Sequence, residues 1–200
     1  ITVGGLGGGE TISQSMSYEV GASCTAATLN SGGLGGATFT ASGIPGAQQR
    51  ASDFHGLSIS ASLGSGALRS TTEYFHTLSA RTVTLGAAMP VPGLTSLGGP
   101  YTRLQASYTL PTDYNTYTAF QYDDGANRSV SLSATFGYLG GTAATLALAD
   151  YSGLAGWNNS WAPAIASTGQ WSAFGTGRNF ASSVCVENAS AKTALMTGSY

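Results

Sequence analysis

The sequence predicts an all-β protein, an antiparallel β-sandwich of immunoglobulin-like or jelly-roll-like kind. It is built either as a single β-rich unit over residues 1–200 or as two tightly linked sandwiches. Three observations carry this prediction. Apolar and hydroxyl residues alternate with period two in several segments, the pattern of strands with one face on a core and the other in water. Glycine-rich and Asp-Gly turn signals separate those segments at the spacing of sandwiches and barrels. No segment sustains a helical period, and the abundance of Gly, Thr, Ser and Val disfavours long helices.

From the N-terminus, Ile1-Thr2-Val3 and the glycine-rich Gly4–Gly9 segment read as a flexible arm. The segment lacks both G-x-G-x-x-G and the Lys-Ser ending of a phosphate loop. Such an arm frays, pairs within its own sheet, or adds as a strand to a neighbouring subunit. Thr11 to Val20 is the clearest strand, with Ile12, Met16, Tyr18 and Val20 alternating with Thr11, Ser13, Ser15, Ser17 and Glu19. Ala37 to Ser42 is the next candidate, followed by Leu57, Ile59 and Ala61 against Ser58, Ser60 and Ser62. Thr72 to Leu78 and Arg81 to Ala87 read as two more strands. Pro90-Val91-Pro92-Gly93 is the best boundary, dividing an N-terminal β domain, 1–89, from 90–200.

Beyond that boundary Leu104, Ala106, Tyr108 and Leu110 mark a strand and Tyr114 to Tyr122 another. Asp123-Asp124-Gly125-Ala126-Asn127 has the chemistry of a hairpin tip, since Asp-Gly tolerates the positive φ of tight turns. Val130, Leu132, Ala134 and Phe136 form the returning strand. Thr142 to Ala149, Ala181 to Val186 and Lys192 to Thr197 complete a set of about eleven. The Leu-Gly-Gly element at Leu6, Leu34, Leu97 and Leu139 recurs at irregular spacing, which is turn chemistry rather than a solenoid repeat.

Charged residues are 8% of the chain, against about 25% in typical globular proteins. Six arginines, one lysine and nine acids give a net charge of −2 and no basic stripe, which argues against nucleic-acid binding. Ten Tyr, seven Phe and three Trp argue against disorder. No apolar run approaches the roughly 20 residues of a membrane-spanning helix. The chain begins at Ile1 without a charged-then-apolar leader, which reads as the processed terminus of an exported protein or as trimming.

Two cysteines, Cys24 and Cys185, belong to no metal-binding cluster, so a disulfide is expected, with two buried thiols as the alternative. Such a bridge would remove roughly 5 kcal/mol of unfolded-chain entropy in the simple loop treatment. Asn-x-Ser sequons at Asn127, Asn158 and Asn188 agree with an extracellular, cell-surface or periplasmic location.

Residues 81–149 carry Arg81-Thr-Val-Thr-Leu85, then Tyr101 to Leu110, then Ser129-Val-Ser-Leu-Ser-Ala-Thr135 followed by Gly141-Thr-Ala-Ala-Thr-Leu146. This stretch resembles bacterial secreted immunoglobulin-like modules of the adhesin or spacer type. The resemblance implies a small sandwich with an adhesive, spacer or assembly role, and it transfers no functional residue. The rest of the chain departs from that pattern.

Catalytic motifs are sparse. No G-x-S-x-G is present, His55 follows Asp53 and Phe54, and His76 lies in the apolar segment Tyr74-Phe75-His76, where a packed or edge-exposed strand histidine is the commoner outcome, so no catalytic residue is assigned. No motif calls for a cofactor. Asp113, Asp123 and Asp124 are the weak candidates for calcium, against the simpler reading of turn residues. The most suggestive stretch is Asp150 to Phe180, read as a long Trp-rich loop. It holds Trp157, Trp161 and Trp171 with Tyr151 and Asn158, and aromatic faces beside amides stack on sugars or anchor interfaces. The reading is of a non-catalytic structural or interaction subunit of an exported surface, periplasmic or filamentous assembly, with protein partners or self-assembly. A carbohydrate-binding module using the Trp-rich loop on a glycan, and a viral capsid or decoration protein, are the alternatives.

Overall fold

The alternating segments become strands, and their cross-strand register decides the architecture. The computed structural model describes residues 1–21, 25–165, 168–180 and 186–200, with only the backbone of Thr25. Among the described residues the strands are β1 (Thr2–Gly4), β2 (Thr11–Val20), β3 (Thr25–Leu34), β4 (Phe54–Ser62), β5 (Ala67–Phe75), β6 (Thr82–Thr84), β7 (Gly93–Leu97), β8 (Arg103–Thr109), β9 (Tyr117–Asp123), β10 (Ser129–Thr135), β11 (Ala143–Ala147), β12 (Gln170–Arg178) and β13 (Ser190–Ser199). One short helix, α1 (Phe136–Leu139), joins β10 to β11.

Eight strands form one sheet in the order β10-β9-β12-β13-β5-β4-β2-β3, with antiparallel neighbours throughout. The register lines up Phe120, Ala173, Met196 and Ala67 across β9, β12, β13 and β5. Arg69 and Ala61, two residues further along β5 and opposite it on β4, continue the same face toward Ile59 and Leu57. That face is the buried one. A second sheet, β11-β8-β7, covers its β10–β13 half, with Phe120, Tyr122, Trp171, Leu104 and Leu146 in one core. The parallel pair β1–β6 covers the other half, enclosing Val3, Met16, Leu57, Ile59, Phe75 and Val83. The protein is therefore an all-β sandwich with one broad layer and two smaller layers on the same face.

Several sequence expectations change. Gly4–Gly9 is not a loose arm: Gly4 closes β1, and the Gly5 carbonyl and Gly7 N–H are taken up by Arg69 and Glu10. Ala37 to Ser42 is not a regular strand. It touches β1 by one bridge, Thr2 to Thr38, while Phe39 and Ala41 pack on the core. Strand β5 begins at Ala67 rather than Thr72, because Gly66 supplies the positive φ of 90° that closes its turn from β4. The Trp-rich loop ends before Gln170, where β12 enters the centre of the broad sheet. The candidate strand Ala181 to Val186 lies, but for Val186, outside the described residues, as do Cys24 and Cys185. None of the described helices is long and apolar enough to cross a membrane.

Candidate functional site

Four of the predicted binding residues gather at one end of the three-stranded layer. Tyr101, just ahead of β8, donates its hydroxyl proton to the Ala149 carbonyl at 2.9 Å and accepts from the Tyr151 N–H at 2.6 Å. This fixes the exit of the chain from β11. Trp157 packs its indole against Tyr101 and Tyr151, with ring centres 5.4 and 5.2 Å apart, and donates its N–H to Asn159 Oδ1 at 3.0 Å. Trp161 stands edge-on to Trp157 at 5.7 Å and 83° and is 60% exposed. Asn158 Oδ1 accepts from both the N–H and the hydroxyl of Ser160, capping the 3-10 turn Asn159–Trp161 that carries the exposed ring. The backbone presenting Trp161 is thus locally fixed.

Trp171 lies elsewhere. It faces the core from β12, 7% exposed, with its indole N–H donated to the Ser199 carbonyl at 3.1 Å. Its ring lies over Gly198 on β13, where a Cβ would clash with the indole. Tyr101 was not singled out from sequence, and nothing in its neighbours Pro100 and Thr102 marks it.

Asp124 ties the Trp-bearing segment to the β9–β10 hairpin. Its carboxylate accepts from Ala126 N and Arg128 N, from Arg128 Nε at 2.6 Å, and from Ala164 N at 3.1 Å, across 40 residues. Arg128 also donates through Nη1 to the Ser160 carbonyl at 3.2 Å. Burial alone would raise this carboxyl, but four donors aimed at it outweigh burial and hold it at about 2. The Asp-Asp-Gly run is a hairpin tip as expected, with Asp123 accepting from Gly125 N at 2.8 Å. The three aspartates weighed for calcium do not converge. Asp113 precedes β9 and pairs with Lys192 at 2.7 Å, whereas Asp123 and Asp124 stand at the far end of that strand.

The two histidines hold backbone. Buried His55 accepts from Ile44 N at Nε2, 2.9 Å, and lies 3.2 Å from the His76 carbonyl at Nδ1, which fixes the Nδ1–H tautomer. His76 Nδ1 meets the Asp53 carbonyl at 2.8 Å. Among the described residues neither imidazole is hydrogen-bonded to a carboxylate. The Asp53 carboxylate is itself saturated by Tyr18 Oη, Gly21 N, Arg50 N and Ser52 Oγ.

Sheet edges form the remaining feature. Strands β3 and β10 end the broad sheet and β7 and β11 end the smaller one. Those four strands contain no Asp, Glu, Lys, Arg or Pro. Strand charges stand instead on β2, β5, β8, β9, β12 and β13, each paired on both sides. The chain matches no protein-family model, no curated protein and no solved structure.

Proposed function

We propose that this chain is a non-catalytic structural or interaction subunit of an exported surface, periplasmic or filamentous assembly. The observation that carries the reading is the uncharged state of the four edge strands of the two larger sheets. A free edge offers unpaired N–H and C=O groups to any passing strand, and monomeric β-proteins blunt it with Lys, Pro or inward charges. Here those devices are absent from the edges of the described sheets, and β3 offers ten residues on one side. Strand addition to a second chain satisfies such an edge. Light scattering and negative-stain imaging of natively purified protein test the reading. The expected result is a mass above the 20.1 kDa of one chain, reduced when lysines are placed on the edges by Ser31→Lys and Ser131→Lys. A 20.1 kDa particle at every concentration rejects it.

Trp161 favours a second reading, in which the same surface component holds a glycan. One fixed, exposed indole beside amide side chains suits stacking on a single sugar ring. The 83° angle to Trp157 does not offer the coplanar platform that a flat polysaccharide surface would need. A glycan titration of wild-type protein against Trp161→Ala checks this, and equal binding by the two proteins removes it.

A further inference from the structure

Of the four uncharged edge strands, β10 is the longest that is regular. Among the described residues it pairs with β9 alone, over all seven of its residues and without a break in register. On β3, by contrast, Leu29 bulges out of the ladder between Thr28 and Asn30, and a bulge twists an edge away from incoming strands. Strands β7 and β11 have five residues each. Along β10 the hydroxyl residues Ser129, Ser131, Ser133 and Thr135 are exposed, while Val130 and Leu132 pack on the core but are only part-buried. The two most exposed aromatic side chains among the described residues stand toward its two ends. Tyr138, 85% exposed, lies in α1, three residues beyond Thr135. Trp161, 60% exposed, belongs to the Ser129 end, where Arg128 donates to the Ser160 carbonyl.

From these observations we propose that two copies of this chain pair edge to edge through β10, antiparallel, with Leu132 on the twofold axis. The inference rests on the assembly reading and names the partner as a second copy. The argument is one of self-complementarity. Leu132 is the fourth of the seven residues, so a twofold axis normal to the sheet sets it against the partner's Leu132. Ser131 then faces the partner's Ser133, Val130 the partner's Ala134 and Ser129 the partner's Thr135. Apolar residues meet on the core side and hydroxyls on the outer side, so the period-two pattern runs unbroken across the axis. The edge N–H and C=O groups of one copy bond those of the other along ~24 Å of strand, at about 3.4 Å per residue. Neither β10 nor α1 contains Asp, Glu, Lys or Arg, so no like charges oppose the approach. The same axis carries the partner's Tyr138 to the Arg128 end of this copy, where Trp161 stands, and the reverse holds at the other end. Each copy thus offers what the other receives, as an isologous contact requires.

Sedimentation equilibrium over a concentration series, with circular dichroism as the check on folding, tests the pairing. Wild type is expected at twice 20.1 kDa or in multiples of that pair. Ser131→Lys with Ser133→Lys sets lysine against lysine twice across the axis and is expected to weaken pairing ~10-fold or more. Ser131→Lys with Ser133→Glu sets lysine against glutamate twice in this register, and is expected to pair within a few-fold of wild type. Tyr138→Ala, at an exposed position, weakens pairing several-fold and leaves the fold unchanged. Wild type that assembles, with the two charge variants weakened alike or neither weakened, overturns the β10 pairing and keeps the assembly reading. A monomeric wild type overturns both.

Discussion

Arg69 grips Glu10 through both carboxylate oxygens, Nε to Oε1 at 2.8 Å and Nη2 to Oε2 at 2.5 Å, inside the sandwich where the two cores meet. The guanidinium gives two of its other donors to the Gly86 and Gly5 carbonyls, both at 2.7 Å. Both side chains are under a tenth exposed. One arginine near the start of β5 thereby holds the glycine-rich N-terminal segment after β1 and the chain leaving β6, beside the two strands that roof the first core.

Removing one member leaves the other charge buried and unpaired, which typically costs 3–5 kcal/mol. Glu10→Ala is therefore expected to lower unfolding free energy by ~3 kcal/mol, and the double variant Glu10→Ala with Arg69→Met to recover part of it, measured by urea titration. The pH dependence follows from the same contact. The Arg69 hydrogen bond, aided by Gly7 N, lowers the Glu10 carboxyl against the opposing pull of burial. Its contribution is present above the ordinary carboxylate value of about 4.3 and is lost as pH falls through the lowered folded value. Equal stability of wild type and Glu10→Ala at neutral pH would show that the pair contributes nothing.

Where apolar side chains alternate with hydroxyls, as in Thr11–Val20, the strand bounds agree, although at its end Glu19 is buried and Val20 exposed, the reverse of the alternation. The failures have a common cause. In β12 the core-facing positions are Trp171, Ala173, Gly175 and Gly177, so the inward stripe fades into glycine and stops looking apolar. Those glycines are there because Met89 and Tyr114 crowd Gly175, and the Asp113 backbone lies against Gly177 where a Cβ would collide with it. Strand β3 hides behind a similar lack of bulk, since its alternation is broken by the bulge opposite Met16 and Ser17. At the aromatic end, Trp157 and Trp161 were legible as a pair by proximity alone. That Trp171 belongs to the core and Tyr101 to the cluster depends on register and on a hydroxyl bridging residues 48 and 50 positions away, which no local pattern encodes.

His55 gives the protein a second acid-sensitive point. Burial lowers its folded value below the ordinary 6.5 or so, against the raising effect of the neighbouring backbone of His76 and Phe75. Its Nε2 must stay unprotonated to accept from Ile44 N. Below pH 6.5 the unfolded chain gains a proton that the folded chain resists. Stability is therefore full above that pH and declines as pH falls from about 6.5 toward the folded value. A melting-temperature series from pH 7.5 to 5 is expected to slope downward, and His55→Gln, which cannot titrate, to flatten the upper part of the slope. An unchanged slope in that variant would assign the acid sensitivity to another group.

The three tryptophans should separate cleanly by their energetic roles. Trp171 fills the core between Tyr122 and Gly198, the residues paired with it on β9 and β12's other neighbour β13, so Trp171→Ala opens a cavity. It is expected to cost 3–5 kcal/mol. Gly198→Val acts on the same contact from the other side by driving a branched side chain into the indole, and should destabilise by ~1–3 kcal/mol. Trp161, exposed at the tip of its capped turn, has little to lose, and Trp161→Ala is expected to change stability by less than ~0.5 kcal/mol. Trp157 lies between these extremes, since it packs on Tyr101 and Tyr151 but is only part-buried. Guanidinium unfolding of the four variants gives the order directly. If Trp161→Ala proved as costly as Trp171→Ala, the exposed ring would be a structural wedge rather than a surface held ready for a partner.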